Sequence, residues 1–191
     1  PDATSLASGQ SVTVSETGSA GQTMTAVSAG SLTVNSGDSL NYRLATPGTE
    51  VELSKIRYNA GNEDVSVKQV ALQLTGSNLT LENQKVTLHD GATKVGEATF
   101  ASGNTAKAVL SSFTVPRHGT KTLTVKATMA GISASGPNTV SGNLVKVDYD
   151  NTNVGTDGNF GTGLSSGQTI LPSGSTASAG VRLMKAYPKF E

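Results

Sequence analysis

Asp148, Asp150, Asn151, Asn153, Asp157 and Asn159 place six oxygen-bearing side chains within twelve positions. Calcium takes about six to eight oxygens from carboxylates, carbonyls and water, and a flexible Asp/Asn/Gly loop can supply them. Asp148, Asp150, Asn151, Asn153 and Asp157 are therefore the candidate ligands of a Ca2+ ion, and no other cofactor is called for. The spacing is not that of an EF-hand, because the position that needs glycine holds Asn153 and no glutamate closes the loop. The competing reading is ordinary turn chemistry at the end of a strand, for which the same residue types are suited.

Asn62-Glu63-Asp64 brings two adjacent carboxylates to a corner. Catalytic carboxylate pairs face each other about 5–9 Å apart across a cleft, an arrangement that neighbours in a tight turn do not adopt. Glu63 or Asp64 is expected instead to accept bonds from backbone N–H groups, with a second cation site as the other reading. His89 and His118 are the only histidines. A Ser–His–Asp relay can be drawn from either. The sequence offers no Gly-x-Ser-x-Gly elbow on an α/β scaffold and no His-x-His or His-Glu-x-x-His pair. Both histidines read as surface residues. No catalytic residue is assigned, and the chain is expected not to be an enzyme.

Lys55, Lys68, Lys85 and Asn83 are conceivable members of a Lys–Asn isopeptide link, which needs its partners buried together. The alternation of the chain places these lysines with the polar sets. Asn78-Leu79-Thr80 is the single glycosylation sequon. Leu171-Pro172-Ser173-Gly174-Ser175 lacks the Thr-Gly order, apolar tail and basic end of a sortase signal. Tyr42, Tyr58, Tyr149 and Phe160 are spread along the chain, and the neighbours of Tyr58 and Tyr149 point them into the core rather than to a carbohydrate.

The elements that must position these residues are strands. Ser and Thr, 23 and 25 residues of 191, are interleaved with Val, Leu and Ala, as in Ser11-Val12-Thr13-Val14 and Lys121-Thr122-Leu123-Thr124-Val125-Lys126. A period of two marks strands with one wet face, and no helical stripe competes with it. Thirteen strands are expected, among them 31–35, 50–59, 65–74, 85–89, 94–100, 121–129, 140–150 and 181–187. Asp90-Gly91 between two of them is the clearest hairpin. The fold class is all-β: an immunoglobulin-like antiparallel β-sandwich with additional flanking strands. Residues 38–150 carry the sandwich core. Residues 1–37 form a Ser/Thr/Gly-rich segment of donor or bridging strands, and 151–191 a Gly/Ser-rich loop and a strand leading to a following module.

The formal charge balances at 0, and aromatics are only 4% of the chain. No basic stripe or stacking platform is available for nucleic acid, which is excluded as a partner. No stretch reaches the ~20 apolar residues of a membrane helix. The absence of Cys rules out disulfides and thiolate chemistry. A start at Pro1 suggests a processed chain or an excised segment.

Three stretches carry a resemblance. The run from Glu50 to Val70, with its Asn62-Glu63-Asp64 corner, the hairpin from Val86 to Phe100 around Asp90-Gly91, and the strand from Phe113 to Ala127 together resemble a recurring module. It is the tandem immunoglobulin-like β-sandwich module of large secreted surface and S-layer-like proteins of bacteria, notably of candidate phyla. The resemblance covers roughly residues 51–130, with a looser echo at 184–190. It implies an extracellular, cell-surface location and a structural role in a coat, stalk or filament. The partners it implies are copies of the chain or adjacent modules, joined by strand pairing. It carries no ligand residues. The alternative is an adhesin module that binds surface glycans or a receptor through loops such as 151–163 and 102–106.

Overall fold

The computed structural model describes residues 3–4, 11–12, 30–37, 42–132 and 141–185. Alternation decides which face of each strand is dry. In Thr120–Thr128 the side chains of Leu123, Val125 and Ala127 are buried while the intervening Thr and Lys reach water, and Ser31–Ser36 buries Leu32 and Val34 in the same way.

The short strands β1 (Ala3–Thr4) and β2 (Ser11–Val12) form an antiparallel ladder of their own. The sandwich is built from β3 (Ser31–Ser36), β4 (Arg43–Ala45), β5 (Glu50–Gly61), β6 (Val65–Gly76), β7 (Lys85–Asp90), β8 (Thr93–Thr99), β9 (Thr105–Val109) and β10 (Thr114–Val115), followed by β11 (Thr120–Thr128), β12 (Leu144–Tyr149), β13 (Phe160–Gly163), β14 (Thr169–Ile170), β15 (Ser173–Gly174) and β16 (Val181–Leu183). One sheet runs β15-β3-β5-β11-β7-β8. The other runs β14-β13-β6-β12-β16-β4, with β9 and β10 also paired to β6. The pairings are antiparallel except β15 with β3 and β16 with β4. Asp90 pairs with Thr93 across Gly91, whose φ of 59° suits the expected hairpin turn.

The inner faces meet in a core of Val, Leu, Ile and Ala around Tyr58, Phe100 and Phe113, all fully buried. Each small aliphatic side chain contributes only about 1–2 kcal/mol, so the core depends on many of them. Strands from both flanks join it. β3 lies between β5 and β15, and β13 to β16 complete the two sheets, so the sandwich reaches beyond residues 37 and 150. The expected strands at 23–27 and beyond residue 185 lie outside the described residues.

Strand β6 explains the placement of the Asp/Asn-rich segment. Its residues Leu72–Gly76 pair with β12 and its residues Val65–Gln69 with β13. Because β9 takes Gln69–Gln73 on the opposite edge, β12 and β13 share one edge, end to end. They are a single strand interrupted by the excursion 150–159.

Candidate functional site: a carboxylate-centred end of the sandwich

At the corner between β5 and β6 the chain turns through Asn62, whose φ of 65° lies in the left-handed region that Asn tolerates. The turn sends the side chain of Glu63 inward, where it is 3% exposed. Its Oε1 accepts from the Gly30 N–H at 3.0 Å and the Ser166 hydroxyl at 2.7 Å. Its Oε2 accepts from the N–H groups of Ser165 and Ser166, both at 2.9 Å. One carboxylate thus ties the residue before β3, the β5–β6 corner and the β13–β14 turn. Gly30 and Gly163 allow the approach, because a Cβ at either position would run into the Glu63 carboxylate. Asp64 works in the same direction: its Oδ1 accepts from the Arg117 N–H at 2.6 Å, and its carbonyl from the Leu164 N–H at 2.9 Å. Backbone satisfaction, the first reading of Asn62-Glu63-Asp64, is what the corner shows.

The bonds from the Ser166 hydroxyl and N–H lead in holding the Glu63 carboxyl below its ordinary value, against the opposing effect of burial. This matters for a pattern that the strand reading passed over. Gly163-Leu164-Ser165-Ser166-Gly167 has the letters of Gly-x-Ser-x-Gly, but it lies between antiparallel strands instead of between a strand and a helix. A general base works best with a pKa near the operating pH, and Glu63 is displaced the other way. His118, in the turn beside the corner, receives the Arg117 Nε–H on its Nε2 at 3.0 Å. The cluster fixes the geometry of the corner.

No protein-family model matches the chain. No curated protein matches it either. Among solved structures it is similar to a chain of a CaDoc–CaCohA2 complex, a cohesin–dockerin pair, at 7% identity and a TM-score of 0.37, over 82% of this chain and 100% of that one. A family 123 glycoside hydrolase from Clostridium perfringens gives 9% identity and 0.36, over 82% of this chain and 27% of that one. BcpA, the major pilin subunit of Bacillus cereus, gives 13% and 0.32, over 82% and 40%. Likeness at this level carries nothing from those proteins to this chain. The sandwich stands on its own strand order and register.

The candidate calcium residues fall on the excursion 150–159 and the strand before it. Asp148 accepts the Ser178 N–H at 2.9 Å on Oδ1 and meets Lys146 Nζ at 3.1 Å on Oδ2. Asp150, buried, accepts the Thr152 N–H and hydroxyl on Oδ1 at 3.1 and 2.6 Å. Asn151 and Asp157 are exposed, and Asn153 is half-buried. The organising residue is Asn159, which is fully buried. Its Oδ1 accepts the Ala71 N–H at 2.7 Å, and its Nδ2 donates to the carbonyls of Asp150 and Asn153 at 2.6 and 2.9 Å. Among the described residues no three His, Cys, Asp or Glu side chains converge as a metal group. With Asp148 and Asp150 already bonded within the chain and Asp157 exposed, the expected result of a calcium titration is a melting temperature that does not rise with Ca2+ concentration. A steady rise, as mass action requires for a ligand of the folded state, would show the loop to be a cation site.

The remaining candidates are dispersed. Lys68 is exposed and Lys85 pairs with Glu97 at 2.9 Å, so neither lies in a buried isopeptide setting, and Lys55 keeps a 26% exposed side chain. Asn78 donates its amide to the Phe100 carbonyl at 2.6 Å. His89 Nε2 sits 3.0 Å from the Thr87 hydroxyl. Tyr58 and Tyr149 do point inward, and burial raises both phenols; Tyr58 packs edge-on against Phe113 at 5.7 Å.

Proposed function

We propose that the chain is a rigid structural module of an extracellular bacterial surface assembly, joined to copies of itself or to adjacent modules by strand pairing, and that it is not an enzyme. One observation carries this reading: two buried polar side chains, Glu63 and Asn159, join segments remote in sequence. Glu63 reaches Gly30 and Ser166, and Asn159 reaches Ala71; at the surface, the Ala177 N–H donates to the Ser36 hydroxyl across 141 positions. Such staples lower the number of ways in which the sandwich can open locally. They suit a part that must hold its shape while its neighbours pull on it. Of the segment 1–37 expected to donate strands, Ser31–Ser36 is already used as β3 in its own sheet and Ala3–Thr4 pairs with Ser11–Val12, so a neighbour would add to strand edges that these ladders leave open.

Electron microscopy of the purified full chain, with a glycan array run in parallel, tests the proposal. Fibres or a lattice with a repeat of one sandwich are the expected result. A monodisperse monomer that binds one glycan class saturably would replace this reading with the adhesin.

A further inference from the structure

The directions of β3 and β16 have a mechanical consequence. β3 begins at Ser31, paired with Gly61 at the Glu63 end of β5. β4 runs on in the same sense to Ala45, and the turn at Thr46–Thr49 carries the chain to the opposite end of β5. β16 lies parallel to β4 in the register Val181–Arg43, Arg182–Leu44 and Leu183–Ala45. It therefore ends at the side of the sandwich opposite to the one at which β3 begins. The twelve residues of β5 separate those ends by about 36 Å.

Tension between the two termini then runs along the strands. Ladder bonds lie across the strand axis, so such a pull loads all bonds of a pair together. An antiparallel pair pulled apart at one end yields bond by bond. On the N-terminal side β3 would have to slide past six partners on β5 and past the parallel β15. The bond from Gly30 to Glu63 secures the residue before it. On the C-terminal side β16 would have to slide past β4, held by the Arg43 N–H to the Gly180 carbonyl and the Met184 N–H to the Ala45 carbonyl at 2.8 Å. The Arg182 guanidinium lies 5.5 Å from the centre of the Tyr42 ring, adding packing across the same seam.

We propose that β3–β5–β15 and β4–β16 form a pair of shear clamps that make the sandwich resist tension applied between its ends. This deepens the structural reading, since a module in a coat or filament carries load along its chain. It stands or falls separately, because it is measured on a single molecule.

The test is single-molecule pulling in two directions on the same chain, which has no native Cys to compete with engineered attachment points. One set of handles sits at the two chain ends. The other sits at Ser141→Cys and Lys185→Cys, neighbours at one end of the β12–β16 pair, where the Lys185 N–H meets the Ser141 hydroxyl at 3.3 Å. Folding stability is nearly the same in both experiments and only direction differs. Forced unfolding reads the barrier along the pulling direction. End-to-end rupture is expected at several-fold higher force than opening through 141 and 185. Met184→Pro, which deletes the donor to Ala45 but none to β12, is expected to lower the end-to-end force and to leave the other nearly unchanged. Equal forces in the two directions would overturn the clamp, and fibres seen with equal forces would leave the assembly reading standing without it.

Discussion

Glu63→Ala lowers the melting temperature by on the order of ten degrees at neutral pH, and Glu63→Gln by clearly less. Alanine leaves three backbone N–H groups and one hydroxyl without their acceptor in a site that is 3% exposed. Glutamine can keep its oxygen on the Ser165 and Ser166 N–H groups and present its amide to the Ser166 hydroxyl, which can rotate to accept. The Gly30 N–H is then the one donor left over. The pH dependence carries the same signature. The folded carboxyl lies below its ordinary value of 4.5, so between those two values the unfolded chain binds more protons. Stability from this group is complete above about pH 4.5 and is lost as pH falls through the lower folded value. The Gln variant should show a shallower acid loss than the parent. Glu97 has the same sign of dependence, its carboxyl drawn to about 2 by Lys94 and Lys85. Its side chain is 45% exposed, so salt screens that part. Acid melts in high salt therefore isolate Glu63. An unchanged acid profile for Glu63→Gln in high salt would show that the bonds at the corner contribute nothing.

The strands were legible because each reports its environment locally: a period of two needs only a few residues to be seen. β5, β6, β7, β8 and β11 fall where alternation and the Asp90-Gly91 turn put them. β13 and β15 were missed because Gly161, Gly163 and Gly174 give no alternation to read. Their glycines answer to neighbours far away in the chain: a Cβ at Gly161 would meet Val65, and one at Gly174 the Val34 carbonyl. The same limit applies to the site. That Glu63 would bind backbone N–H groups followed from its place in a corner. That those groups belong to residues 33 and 103 positions away did not, because no local pattern links Gly30, Glu63 and Ser166. The Asp/Asn-rich stretch shows that composition does not point to the residue that organises a loop. Its charged members stood out as ligands, while the residue that organises the loop is an amide, Asn159. The signal lay in the interruption of one strand by ten residues, visible only once both halves are seen against β6.

Asn159→Ala costs about 3 kcal/mol or more, a fall of roughly 6–12 °C in melting temperature for a chain of this size. The reason is the gap in the ladder. β12 ends where Tyr149 faces Leu72, β13 begins where Phe160 faces Gln69, and between them Ala71 has no strand partner on that edge. The Asp150 N–H serves the Ala71 carbonyl, and Asn159 Oδ1 serves the Ala71 N–H. The Asn159 amide nitrogen meanwhile holds the carbonyls of Asp150 and Asn153 and so draws the mouth of the excursion together. Alanine removes all three bonds and leaves a backbone donor in the fully buried middle of β6 unsatisfied. Asn159→Asp separates geometry from charge. Its carboxylate can still accept from Ala71, but its second oxygen would face two carbonyl oxygens in a site with no exposure, which favours the protonated form. The folded state then binds more protons than the unfolded one, so this variant gains stability relative to the parent as pH falls from 7 towards 4. That trend is opposite in sign to the one Glu63 imposes on the native protein. Melting curves across that range, with amide exchange followed at Ala71, read both effects. An Asn159→Ala protein that melts within about a degree of the parent, with Ala71 still protected, would mean that the two halves of the strand hold their places on β6 without the amide between them.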